Sequence, residues 1–143
     1  MPDENATIPA GFARHYRESP LTDPWEPLYS KTTETAVILG VVTRPAHTNS
    51  RGLVHGGLIS ALADNAMGLS CGLRLRAGQR LLTTSLSVDF LGAAGLGQWL
   101  TVETEFVKPG STLCIAQAFV KADGKICARA NATFRVTAPQ VAA

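Results

Sequence analysis

The chain has 143 residues, of which 45% are hydrophobic and 17% charged, and its net charge is +2. That length suits one domain able to bury its own core, and no stretch approaches the roughly 20 uninterrupted apolar residues of a membrane span, so a soluble protein is expected. The charge is too small and too scattered for a nucleic-acid reader, though it is compatible with anionic small molecules.

The opening MPDENATIPAGF has acidic residues where an export signal carries basic ones, and no apolar run follows. A cytoplasmic location is the default expectation. Residues 1–30 hold five of the eight prolines, Pro2, Pro9, Pro20, Pro24 and Pro27, which argues against a long regular element. Phe12, Tyr16, Trp25 and Tyr29 make this segment more aromatic than a disordered tail. A short helix near residues 9–18 and loops packed on the body are expected.

Residues 34–44, ETAVILGVVTR, are rich in β-branched and apolar side chains and read as a strand ending at Pro45. After the polar loop PAHTNSRG, apolar residues at Leu58, Ile59, Leu62, Ala63, Ala66 and Leu69 have helical spacing, which predicts a helix over residues 57–72. Its other positions are mostly small, so the helix is expected to be surrounded. Four extended runs follow: LLTTSLSVDFL, QWLTVETEFV, TLCIAQAFV and KICARANATFRV. Turn residues at Gly95–Gly97, Pro109-Gly110 and Asp123-Gly124 separate them, as in an antiparallel meander. The order implies an α+β fold with a curved sheet over one long helix. The organisation reads as an N-terminal segment 1–27, a body 28–137 and a tail 138–143.

Cys71, Cys114 and Cys127 are odd in number and show no C-x-x-C spacing. Reduced core thiols are expected, and neither a disulfide framework nor a metal site.

Two chemical signals compete within residues 53–73. Gly68-Leu69-Ser70-Cys71-Gly72 spells the G-x-S-x-G string of a serine-hydrolase elbow. That turn needs a strand before the serine and an acid and a histidine after it. Ser70 instead falls near the end of the predicted helix, and His15, His47 and His55 all precede it. The string reads better as a helix end, with Gly72 placed as a C-cap.

Asp64 is the one charged residue of this run. A carboxylate in an apolar helix is costly unless something compensates it. Its helical neighbours Ser60, Ala61, Gly68 and Cys71 are small and leave room for another molecule or chain. A hydrogen bond to a nearby loop, or exposure at an interface, would explain Asp64 equally well. His55-Gly56-Gly57, just before the helix, offers free backbone N–H groups to a developing oxyanion. The same glycines also serve a tight turn. Asp64 follows Gly57 by seven residues, roughly 10 Å along a helix, too far for both to contact one carbonyl. If both act, Asp64 of one chain faces the His55-Gly56-Gly57 turn of another, as in a two-fold dimer.

Asn49-Ser50-Arg51-Gly52-Leu53-Val54-His55-Gly56-Gly57, followed by Leu62-Ala63-Asp64, resembles the N-x-x-G-x-x-H-G-G and L-x-D pattern of hotdog-fold acyl-CoA thioesterases of the PaaI type. Ser87-Val88-Asp89-Phe90-Leu91, Lys108-Pro109-Gly110-Ser111-Thr112-Leu113 and Ala128-Arg129-Ala130-Asn131-Ala132-Thr133-Phe134 match in order and spacing. The similarity runs from about Phe12 to Val136. Ala93 stands where the family commonly has proline, which bears on the shape of that loop.

The resemblance implies a hotdog fold over 28–137, homodimers often paired into homotetramers, and active sites at the dimer interface. By residue it implies Asp64 as nucleophile or general base, the Gly56 amide as the carbonyl's polariser, and His55 and Asn49 as positioning groups. Thr83 or Thr84 would orient the water. Arg51, Lys108 and Ser111 are candidates for contacts with coenzyme A, which enters as part of the substrate; no separate cofactor is implied. The expected function is hydrolysis of an acyl-CoA thioester to a free acid and CoA. A non-catalytic acyl-CoA-binding module and a hydroxyacyl-thioester dehydratase are the competing readings, and the acyl group is left open.

Overall fold

The structure, a computed structural model, describes residues 7–138. Its strands are β1 (Ala13–Arg14), β2 (Tyr29–Thr32), β3 (Val37–Val42), β4 (Arg80–Phe90), β5 (Trp99–Lys108), β6 (Leu113–Ala122) and β7 (Lys125–Thr137), with one α-helix, α1 (Gly56–Gly72). All seven strands form one antiparallel sheet in the order β1-β2-β3-β5-β6-β7-β4. Beyond residue 80 the expectation of a simple meander holds only for β5, β6 and β7. β4 pairs with β7, from Arg80 opposite Thr137 to Phe90 opposite Ala128, and so lies at the sheet's edge. The local run of turns carries no information about that non-local pairing.

The sheet curls around α1 because its inner face is built from small side chains. β6 buries Cys114, Ala116, Ala118 and Val120, and β7 buries Ala128, Ala130 and Ala132, at alternate positions. Alanines there let the helix approach closely, and Leu62 and Met67 fill the space between. Full burial of each of these two side chains stabilises the fold by about 1.5–3 kcal/mol. The β6–β7 hairpin turns at Asp123 (φ 47°) and Gly124 (φ 81°), the Asp-Gly pair that a two-residue turn favours.

α1 starts one residue before the predicted helix and ends where expected. Its C-cap is Leu73 in the right-handed region, not Gly72, which is the last helical residue. The expectation of a surrounded helix also needs correcting. Leu58, Ile59, Leu62, Ala63, Ala66 and Met67 are buried, whereas Asn65 is exposed and Asp64, Gly68 and Leu69 are half-buried.

Instead of the helix expected near residues 9–18, the N-terminal segment contributes β1, and Asp23–Trp25 forms a single 3-10 turn. Its described residues make contacts with later parts of the chain. The ring of Phe12 meets Trp99 edge-on at 5.1 Å, and the Arg44 guanidinium donates to the carbonyls of Pro24 and Glu26. Cys71, Cys114 and Cys127 are free and buried. No helix among the described residues is long and apolar enough to cross a membrane.

Candidate active site

The sheet's edges, β1–β2 on one side and β4 on the other, are not hydrogen-bonded to each other. Between them lies a cavity of about 950 Å³, and the unburied face of α1, with Asp64, Asn65, Gly68, Leu69 and Gly72, forms one wall. Asp64 is the sole acid lining it among the described residues, against Arg17, Arg76 and Arg80.

Asp64 is not an isolated carboxylate. Thr83 Oγ1 on β4 donates to Asp64 Oδ1 at 2.8 Å. Thr84 donates to the Thr133 carbonyl at 2.9 Å and does not reach Asp64. A bulge between Thr83 and Ser85 decides which of the two threonines faces the helix. Sequence spacing alone leaves the pair equivalent.

At the start of α1, His55 is the N-cap, and its Nδ1 accepts from the Gly57 N–H at 2.7 Å. The imidazole thus occupies one of the first amide donors and leaves the adjacent Gly56 N–H at the helix's positive end. A Cβ on Gly56 would approach the Phe90 ring to 3.1 Å, and one on Gly57 would approach His55 Nδ1 to 2.9 Å. Phe90, which the sequence reading left without a role, therefore covers the Gly56 turn.

Asn49 sits in the loop that leads into α1. Its Oδ1 accepts from the backbone N–H groups of Arg51 (2.9 Å) and Leu53 (3.2 Å). Its carboxamide oxygen thus folds the loop rather than reaching for a ligand. The Leu53–Val54 end is held by a bond from Val54 N–H to the Ala94 carbonyl at 2.8 Å, so the loop with Ala93 in place of proline supports the turn into α1.

Of the three residues expected to contact coenzyme A, Lys108 and Ser111 share the β5–β6 turn, while Arg51 stands in the loop before α1. Lys108 ends β5, and Ser111 lines a smaller cavity with Arg74 and Arg76, past the end of α1. Of the N-terminal aromatic residues, Tyr16 lines this seam cavity between the sheet's two edges, while Phe12 and Trp25 do not. Ser70 is fully buried, accepts from Val37 N–H at 3.0 Å and donates to the Ala66 carbonyl at 2.8 Å. It is a structural clasp between α1 and β3, with no access for a substrate.

A long helix wrapped by an antiparallel sheet defines the hotdog fold. Residues 51–128 match the family model of the thioesterase superfamily. The chain belongs to that superfamily, and thioester hydrolysis is the activity class that membership carries. It is 31% identical to a Pseudomonas aeruginosa protein provisionally named an esterase, over 90% of this chain and 97% of the other. Human acyl-coenzyme A thioesterase 13 is also 31% identical, over 68% of this chain and 70% of its own length. Among solved structures, a Bacillus halodurans protein crystallised with CoA is 26% identical with a TM-score of 0.70, covering 78% of this chain and 74% of that one.

Proposed function

We propose that the chain hydrolyses acyl-CoA thioesters at sites shared between two copies of itself, with Asp64 of one copy acting on a carbonyl bound at the Gly56 amide of the other. The observation that carries this reading is the Thr83–Asp64 hydrogen bond on the wall of the seam cavity. Likeness to an acyl-coenzyme A thioesterase and to a CoA-bound structure supports CoA as the thiol half of the substrate.

The need for two copies follows from α1 and β4. Asp64 is tied to the strand at Thr83, and Gly56 lies under Phe90. On α1 the two residues are eight positions apart, about 12 Å along the helix axis. One chain cannot direct both groups at one carbonyl. Two β4 strands paired antiparallel about a two-fold axis would bring Thr83 of each opposite Phe90 of the other, and so Asp64 towards the partner's Gly56. β4 is suited to this role. It is an eleven-residue edge strand on which only Leu81 and Val88 are half-buried, and it exposes Leu82, Leu86 and Phe90. An open apolar edge of that length is a pairing surface unless it is covered. Exposed Phe106, Leu113 and Ile115 on β5 and β6 offer a second surface through which dimers would pair into tetramers.

In this reading Asp64 is the general base. With one of its oxygens bonded to Thr83, the other takes a proton from water, and the Thr83 oxygen, as a free acceptor, helps to hold that water. The hydroxide attacks the thioester carbonyl, the oxyanion is met by the Gly56 N–H, and collapse expels the CoA thiolate, which is protonated on release. The products are a carboxylic acid and CoA.

The test is thiol release from a panel of acyl-CoA thioesters by wild type and Asp64→Asn. Turnover that falls by about 10²–10⁴ in the variant supports the proposal. Binding without thiol release would indicate a carrier, and an enoyl product without thiol release a dehydratase; either result overturns it.

A further inference from the structure

The seam cavity has a wall that neither the helix nor β4 supplies. His15, Tyr16, Arg17, Ser19 and Thr22, from the stretch after β1, line it together with Asp64. His15 is half-buried, and its Nδ1 is enclosed without a hydrogen-bond partner. Burial lowers the pKa of this histidine, against a rise from Glu26, so the ring is held towards the neutral form. Nε2 is not enclosed in this way, which leaves it open to a hydrogen-bond partner. Arg17, Arg76 and Arg80 line the same space, and none has an acidic partner among the described residues.

A plain hydrocarbon acyl chain makes poor use of such a wall. Leu28, Leu39, Leu69, Leu81 and Phe134 line the same cavity and would take its methylenes, but its terminal methyl would satisfy none of the donors on this wall. A carboxylate suits them: it accepts two parallel bonds from one guanidinium and a further bond from an imidazole N–H, and the three arginines offset its repulsion by Asp64.

We propose that the seam cavity is the acyl subsite and that Arg17 and His15 select acyl groups bearing a second carboxylate, so that the preferred substrates are CoA monothioesters of dicarboxylic acids. This rests on the thioesterase reading above. Arg17 and Arg80 could alternatively meet the phosphates of coenzyme A, which are common to every acyl-CoA, and the experiment must separate the two.

Glutaryl-CoA and valeryl-CoA have acyl chains of equal length that differ at the far end, in a carboxylate against a methyl. For wild type, kcat/KM for glutaryl-CoA should exceed that for valeryl-CoA by about tenfold or more, the effect of one charge-assisted hydrogen bond. In Arg17→Ala, and separately in His15→Phe, the ratio should fall towards one. Arg17 is exposed, so its variant keeps the fold and remains informative if His15→Phe does not. A wild-type ratio of one or below overturns the proposal while leaving thioester hydrolysis intact. Equal losses on both substrates in Arg17→Ala overturn it in favour of phosphate contacts. Absence of thiol release from every thioester overturns both this proposal and the reading beneath it.

Discussion

Thr83 Oγ1 donates to Asp64 Oδ1 at 2.8 Å, and this bond ties the carboxylate of the helix to the edge strand of the sheet. The hydroxyl both orients the carboxylate and keeps its own oxygen free to accept from water. Replacement of Thr83 by valine preserves the shape and removes the bond. The expected result is a loss of about tenfold in kcat with little change in KM, as for one hydrogen bond of about 1.4 kcal/mol. Thr84→Val, on the same strand but bonded to Thr133, should leave kcat near wild type. Equal effects of the two substitutions would remove Thr83 from the site.

The Gly56 amide can be tested without touching a side chain. Proline is tolerated at the first position of a helix and has no N–H, so Gly56→Pro deletes the donor and keeps the helix start. A loss of about 10²–10³ in kcat is expected. Gly56→Ala is the control for the contact with Phe90, which is 54% exposed and free to give way. It should retain most activity, and a loss as large as that of Gly56→Pro would assign the effect to crowding.

Leu86 lies near the middle of β4 and is 36% exposed in the single chain. Leu86→Arg would place like charges close together across a two-fold axis at that strand. The variant should sediment as a monomer and lose activity, although Asp64, Thr83 and Gly56 are untouched. A variant that is monomeric and fully active would contradict a shared site.

His47 makes stability depend on pH. It is buried, accepts from Arg44 N–H at Nδ1 (2.9 Å) and donates from Nε2 to the Trp25 carbonyl (2.9 Å), a pattern that only the neutral ring satisfies. Burial lowers its pKa below 6.5, and the nearby Arg44 charge acts in the same direction. Unfolded, the ring takes up its proton near pH 6.5; folded, it does so only at lower pH. Its contribution is therefore complete above about pH 6.5 and is lost as the pH falls towards the lowered value. Urea midpoints measured from about pH 7.5 down to about pH 5 should fall through that window, and His15 adds in the same direction. A midpoint that is flat or rises on acidification would contradict this.

Much of this molecule is legible in local sequence pattern. The helix over residues 57–72 and the four later strands follow from periodicity and turn chemistry, and they coincide with α1 and β4 to β7 within a few residues. The misses are non-local. β1 and β2 are short strands in a proline-interrupted segment, and nothing in their own residues reveals that they extend the sheet from β3. The edge position of β4 depends on its pairing with β7, and the choice of Thr83 over Thr84 depends on a bulge in that pairing. Asp64 stands out as a lone carboxylate in an apolar helix, whereas Phe90, His15 and Arg17 gain meaning only when the curled sheet brings its two edges towards each other.

The shared site is the central claim, and subunit complementation tests it most directly. Asp64→Asn and Gly56→Pro are each expected to be nearly inactive as homodimers. In a mixed dimer, the chain carrying Gly56→Pro still supplies Asp64, and the chain carrying Asp64→Asn still supplies Gly56, so one of the two sites is complete. After subunit exchange at equal concentrations, about half of the dimers are mixed, and activity should return to about a quarter of wild type. If the mixture stays as inactive as its components after exchange is shown to be complete, Asp64 and Gly56 act within one chain, and the two-fold site is wrong.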